Sequence, residues 1–183
     1  MNGFLNRMWP TIFAASVCVF PARVCVADDD GSIVFNYTFE VSLAPEEVVH
    51  TIFEFDHLKT YSKGVHSLKQ LQHKPGSHVV RYEYRHAMFK TIISFKRILN
   101  LSQNEIDVEM LSCWDNVPFL PMLRKMTGRY KVYVNAAGKT VVRYRTVSEF
   151  DSSPGRAYRK ILNRRSLKFM DGLKEYLLSR MAK

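Results

Sequence analysis

The segment that most limits what this chain can become is its end, residues 152–183. Tyr158, Ile161, Leu162, Phe169, Met170, Leu173, Tyr176 and Leu177 recur there at steps of three and four. That is the period of one face of an α-helix. Arg156, Arg159, Lys160, Arg164, Arg165, Lys168, Lys174 and Arg180 take the other faces. Ser153 suits the N-cap and Pro154 the first helical position. About 28 residues at 1.5 Å each make a rod of roughly 40 Å. Such a rod needs an extended apolar surface opposite its stripe. Gly172 stands beside the stripe, where the missing side chain predicts a close approach or a slight bend.

The residues before the rod supply that surface as strands. Ile33, Phe35, Tyr37, Phe39, Val41 and Leu43 alternate with Val34, Asn36, Thr38, Glu40 and Ser42, which predicts a long half-buried strand. Ala44-Pro45-Glu46-Glu47 then opens a helix whose apolar side is Val48, Val49, Ile52, Phe53 and Phe55. A second helical turn is predicted over residues 56–62, stopped by Lys63-Gly64. Strands follow over residues 65–73, 78–86 and 89–101, the first two joined by the turn Lys74-Pro75-Gly76-Ser77. Ile106, Val108 and Met110 facing Glu105, Asp107 and Glu109 make the clearest alternation. Tyr130, Val132 and Val134 resume it, and after Ala137-Gly138-Lys139 so do Val142, Tyr144 and Thr146. Successive hairpins make an antiparallel sheet, and its apolar face must meet the final helix. The expected class is α+β: about seven antiparallel strands curved around a long C-terminal helix, with two short helices after the first strand.

Residues 113–127 break the alternation yet stay apolar, and they read as a loop or short helical turn. Trp114, Phe119, Leu120, Met122 and Leu123, with Arg124 and Lys125 beside them, fit a lid that touches a membrane surface. A loop folded back into the core fits them equally.

Residues 1–27 carry Arg7, a short apolar run over 8–20 and Cys25-Val26-Ala27 before Asp28-Asp29-Asp30. That is the layout of a secretory signal peptide, with an uncleaved membrane anchor as the alternative. The expected division is therefore a signal over residues 1–27 and one domain over 28–183, periplasmic or secreted. Cleavage removes Arg7 and Arg23 and lowers the formal charge from +10 to +8. A basic exported protein meets anionic membrane surfaces more readily than nucleic acid. Cys113 alone would remain, so the domain has no internal disulfide to lean on.

The order of elements resembles the START/SRPBCC superfamily, the helix-grip fold of Bet v 1-like proteins, and most of all its polyketide cyclase/dehydrase and lipid transport group. The residues that carry the likeness are the first strand running into Leu43-Ala44-Pro45-Glu46-Glu47-Val48, Phe53-Glu54-Phe55-Asp56-His57-Leu58 followed by Tyr61, and the closing helix from Pro154. It covers residues 33–181. The resemblance implies a cavity between sheet and helix for an apolar or amphipathic small molecule. Export departs from most members, which are cytosolic.

Strand parity gives the inward set: Val80, Tyr82, Tyr84, Thr91, Ile93 and Phe95, then Ile106, Val108, Met110, Val142 and Tyr144. From the helix come Phe169, Met170 and Leu173. By residue type alone these line a pocket or fill a core; the resemblance favours the pocket. Arg97 shares parity with Phe95, but its place near a strand end predicts a side chain that reaches water. No phosphate loop, nucleophile elbow or His-Glu-x-x-His is present. No catalytic residue, metal or cofactor is expected. The expectation is a monomeric carrier of a hydrophobic, lipid-like molecule that touches a membrane and binds no nucleic acid. The alternative is a cyclase/dehydrase-like or hydrolase-like enzyme in the same pocket.

Overall fold

The computed structural model describes residues 32–86, 89–116 and 120–181. The expected signal segment and Phe119 lie outside the described residues. The elements are β1 (Ser32–Val41), α1 (Pro45–Phe53), α2 (Phe55–Tyr61), β2 (Ser67–Lys74), β3 (Ser77–His86), β4 (Phe89–Asn100), β5 (Glu105–Asp115), β6 (Leu123–Val134), β7 (Thr140–Phe150) and α3 (Arg156–Met181). The strands form one antiparallel sheet in the order β1-β7-β6-β5-β4-β3-β2. The α1–α2 pair carries the chain from one edge of this sheet to the other, and α3 lies in its concave face.

One end of the groove is solid. Val48, Val49, Ile52 and Phe53 of α1 and Leu58 and Tyr61 of α2 are buried there. Met170, Leu173 and Leu177 of α3 meet them, with Val80, Ile106, Val132 and Val142 from the strands. Gly172 is the close approach its sequence position predicts: a Cβ there would stand 2.5 Å from the Tyr61 carbonyl oxygen. Tyr37 donates to Asp171 Oδ1 at 2.5 Å and ties the same half of α3 to β1.

Three strand irregularities bend the sheet and reset its parity. Register shifts fall between Gln70 and Gln72, opposite Ser94/Phe95 in β5, and between Leu123 and Lys125. The extra residue in β5 is Leu111, so Met110 faces in before it while Cys113 and Asp115 face in after it. Residues 113–127 are correspondingly not one loop. Cys113 to Asp115 finish β5, and Leu123 begins β6. Pairing between these strands stops at Glu109↔Thr127, although each continues against its other neighbour. The sheet therefore parts between them.

Helix α3 starts at Arg156, later than Ser153 and Pro154 suggest. The first helical bond runs from Arg159 N to Gly155 O, at 3.1 Å. Ser153 Oγ and the Pro154 carbonyl instead accept from the Arg159 guanidinium, at 3.1 and 2.5 Å. A side chain one turn inside the helix has taken the capping groups. At 26 residues, α3 spans about 39 Å. No described helix is long and apolar enough to cross a membrane.

Candidate functional site

Burial along α3 is uneven, and this asymmetry makes the site. Its C-terminal half is packed, but Tyr158, Leu162, Asn163 and Ser166 are only half-buried and Ile161 is exposed. Beneath that lifted half lies a cavity of about 170 Å³. This is the scale of an engineered apolar cavity of about 150 Å³ that takes a benzene ring.

Of the inward set, Tyr82, Tyr84, Thr91, Ile93 and Phe95 line the cavity, as do Val108, Tyr144 and Phe169. Val80, Ile106, Val142, Met170 and Leu173 do not; they are fully buried in the solid end. Met110 packs half-buried against that core. Strand parity names a face, and it cannot tell which end of the face is filled. Further lining residues went unnamed by parity. Ile33 and Phe35 belong to the opening strand's alternation, and Thr146, Ser148 and Phe150 extend that of Tyr144. Cys113, Asp115 and Leu123 enter only because the bulges turn them inward.

The lid candidates separate. Leu123 lines the cavity. Trp114 points outward from β5 and is 53% exposed, and Leu120 and Met122 are exposed as well. Arg124 and Lys125 sit at the β6 bulge and pair with Asp151 and Glu149 at 3.7 and 3.4 Å.

The floor is aromatic. Tyr130 and Tyr144 stack with centroids 4.2 Å apart, and Tyr82 meets Phe95 edge-on at 5.5 Å. Burial pushes the phenols of Tyr82, Tyr84, Tyr130 and Tyr144 up, so they stay protonated and act as hydrogen-bond donors. Burial, and then Asp115, pushes the Cys113 thiol up to about 11. The described lining holds one carboxylate, Asp115, and no imidazole. Asn163 adds an amide oxygen that is buried without a hydrogen-bond partner among the described residues.

Arg97 corrects the expectation of a solvated strand-end side chain. It is 1% exposed and reaches the deep end of the cavity. Its guanidinium donates to the Ile52 carbonyl at 2.7 Å and the Phe53 carbonyl at 3.2 Å. These are the last carbonyls of α1, the negative end of that helix, so a cation is stabilised there without a carboxylate. Burial works against its charge, and the two carbonyls offset that cost. Arg97 Nη1 also lies 3.3 Å from His78 Nε2, which is placed to accept from it. Burial and then Arg97 hold the His78 imidazole down to about 3, and its ring stacks on Phe53 at 4.4 Å. Parity alone carried the signal for Arg97.

No protein-family model matches the sequence, and no curated protein matches it. Solved structures do. The Zhui aromatase/cyclase of Streptomyces sp. R1128 superposes with a TM-score of 0.68 at 14% identity, over 82% of this chain and 96% of that one. The major latex-like protein 151 of Panax ginseng gives 0.60 at 9% identity, over 82% and 97%. A START superfamily protein of Mycobacterium smegmatis gives 0.57 at 13%, over 80% and 95%. The chain has the START/SRPBCC helix-grip fold. Identities this low speak for architecture and leave the ligand to the chemistry of the cavity. In this helix-grip frame the solid end is where α1, α2 and Arg97 close the groove. The hollow end is where α3 rides over β1, β4, β5 and β7. Among the described residues no three His, Cys, Asp or Glu side chains gather as a metal site would require.

Proposed function

We propose that the protein binds and carries a hydrophobic or amphipathic small molecule, lipid-like in character, in the cavity under α3. The observation that carries this reading is the lining. It is mostly aromatic and aliphatic, with hydroxyls, one amide, the Arg97 and Arg165 guanidiniums and the Asp115 carboxylate, and among the described residues it offers no carboxylate–imidazole pair for acid–base work. Burying apolar ligand surface supplies affinity at about 25 cal/mol per Å². The phenols can orient the guest: their raised pKa makes them poor proton donors to a reaction, yet each keeps its O–H proton and so remains available as a hydrogen-bond donor. Export is supported by the signal-like residues 1–27. Exchange at a membrane is supported by exposed Trp114, Leu120 and Met122 around the parted strands, with cations nearby.

The test is saturable binding of an uncharged solvatochromic dye such as Nile red, compared between the wild type and Ser148→Trp. Ser148 lines the cavity from β7 and is half-buried, so an indole there takes the guest's space. Binding should weaken at least about tenfold, the worth of a ring-sized apolar contact. No saturable binding by the wild type, or equal binding by both, overturns the reading. The second reading is aromatase/cyclase-like chemistry, which the likeness to Zhui and the Arg97 guanidinium in the floor favour. Conversion of a bound compound, in place of its release unchanged, would establish it.

A further inference from the structure

We propose that the cavity opens on one side into an anion-binding collar made by Lys63, Arg85, Arg165 and Lys168. The ligand is then an anionic amphiphile, with its carboxylate or phosphate head in the collar and its apolar part in the cavity. This rests on the cavity being a ligand site, and it names the class of ligand that site takes.

The four cations line one hollow of about 270 Å³, and no carboxylate lines it with them. They converge from separate elements. Lys63 lies in the turn after α2, Arg85 near the end of β3, and Arg165 and Lys168 one turn apart on α3. Tyr84, Arg165 and Phe169 line both this hollow and the apolar cavity, so the two adjoin at these side chains. A chain passing there leaves an apolar wall and meets positive charge.

Two of the cations are committed. Lys63 pairs with Glu175, and Arg85 Nε meets Glu83 Oε1 at 2.6 Å. Arg165 and Lys168 form no ion pair with any described residue. Each is nonetheless held at the hollow. The Arg165 guanidinium lies 6.0 Å over the Tyr84 ring, an attractive cation–π placement. Lys168 lies across Gly64, where a Cβ would stand 3.3 Å from its Cδ and 3.6 Å from its ammonium. Gly64 has φ +88, a conformation other residues rarely adopt, so the turn brings bare backbone under the lysine. Arg165 and Lys168, one turn apart and without an acid of their own, repel, and an anion between them relieves that. The planar guanidinium suits a carboxylate or phosphate, and the ammoniums add charge without demanding a direction. A free inorganic anion would gain only the charge term; an amphiphile gains the apolar wall as well.

The experiment displaces Nile red with decanoate and with decanol, which share a tail and differ in the head. It is run on the wild type and on the double variant Arg85→Gln/Lys168→Gln, neither position lining the apolar cavity. In the wild type decanoate should compete about tenfold better than decanol, the worth of one hydrogen bond to a charged group. In the variant that ratio should fall to about twofold or less, and raised salt should lower it in the wild type. Failure of Nile red to bind would remove the cavity reading and the collar with it. Binding of the dye with equal competition by acid and alcohol would overturn the collar and leave the cavity standing. Inorganic phosphate, titrated alone by calorimetry, should bind far more weakly than decanoate. Equal affinity would assign the collar to free anions and overturn the amphiphile.

Discussion

Gly172→Ala offers a sharp test, because two physical effects there have opposite signs. In an exposed helix interior the change stabilises by about 1 kcal/mol, since alanine loses less backbone freedom on folding. At residue 172 the added Cβ would stand 2.5 Å from the Tyr61 carbonyl oxygen, and 3.3 Å from Lys63 Cγ. That carbonyl already accepts from Lys63 N at 2.7 Å, so it is fixed from its far side. It also belongs to a residue only 1% exposed, whose phenol donates to the Ile52 carbonyl at 2.8 Å. To reach an ordinary contact, α3 and the end of α2 must separate by most of an ångström. Overpacking of this kind costs about 3 kcal/mol at its upper range. After the propensity gain, the net is destabilisation by about 2 kcal/mol. Urea unfolding reads it directly: with a slope near 2 kcal/mol/M, the midpoint should fall by about 1 M. Gly155→Ala is the control, since a Cβ there meets nothing within 4 Å. A midpoint for Gly172→Ala equal to or above the wild type would refute the close approach, and with it the account of how α3 is seated.

Two further outcomes follow from the site. His78 is held neutral down to about pH 3 in the folded state, against about 6.5 unfolded. The unfolded chain thus binds the extra proton first as pH falls. The contribution is complete above about pH 6.5 and drains away towards pH 3, at up to about 1.4 kcal/mol per pH unit. His78→Gln keeps an acceptor for Arg97 without titrating, so its stability should fall less steeply over that window; parallel curves would sink this. Trp114→Ala should weaken co-sedimentation with vesicles containing anionic lipid by about tenfold, the worth of one buried large side chain, with little change in stability. Unchanged partitioning would remove Trp114 from the docking surface.

Much of the architecture is legible in the residue pattern because both periods are long and clean. The three- and four-residue steps of Tyr158 to Leu177 and the alternation of Ile33 to Val41 leave little choice of element. Gly172 was legible as well, since a glycine beside an apolar stripe needs a reason. The site was legible only as a face. Leu111 reads as one more residue of a strand, yet as a bulge it exchanges Trp114 for Cys113 and Asp115 on the inner side. Whether an inserted residue is absorbed by a bulge or a loop depends on the neighbouring strand's register, which no local pattern records. The burial of Arg97 is hidden for a similar reason. Its stabilising partners are backbone carbonyls of α1, more than forty positions away, and backbone groups have no sequence signature.

The two ends of the groove explain one another. At the solid end a charged side chain is buried, but it closes α1 onto β4 by capping the helix's last carbonyls, and α3 can pack there to full density. That anchoring is what permits the other half of α3 to stand away from the sheet. A helix held along its whole length would have no reason to leave Leu162, Asn163 and Ser166 half-buried. A helix held nowhere would collapse onto the floor and fill it. The strands repeat the pattern: β5 and β6 pair as far as Glu109 and Thr127, then part at the end where the helix is lifted. Elements with few packed contacts open at low free-energy cost. The lifted half of α3 and the parted lips of β5 and β6 therefore border the same hollow, where the proposed guest would enter while the anchored end keeps the fold intact.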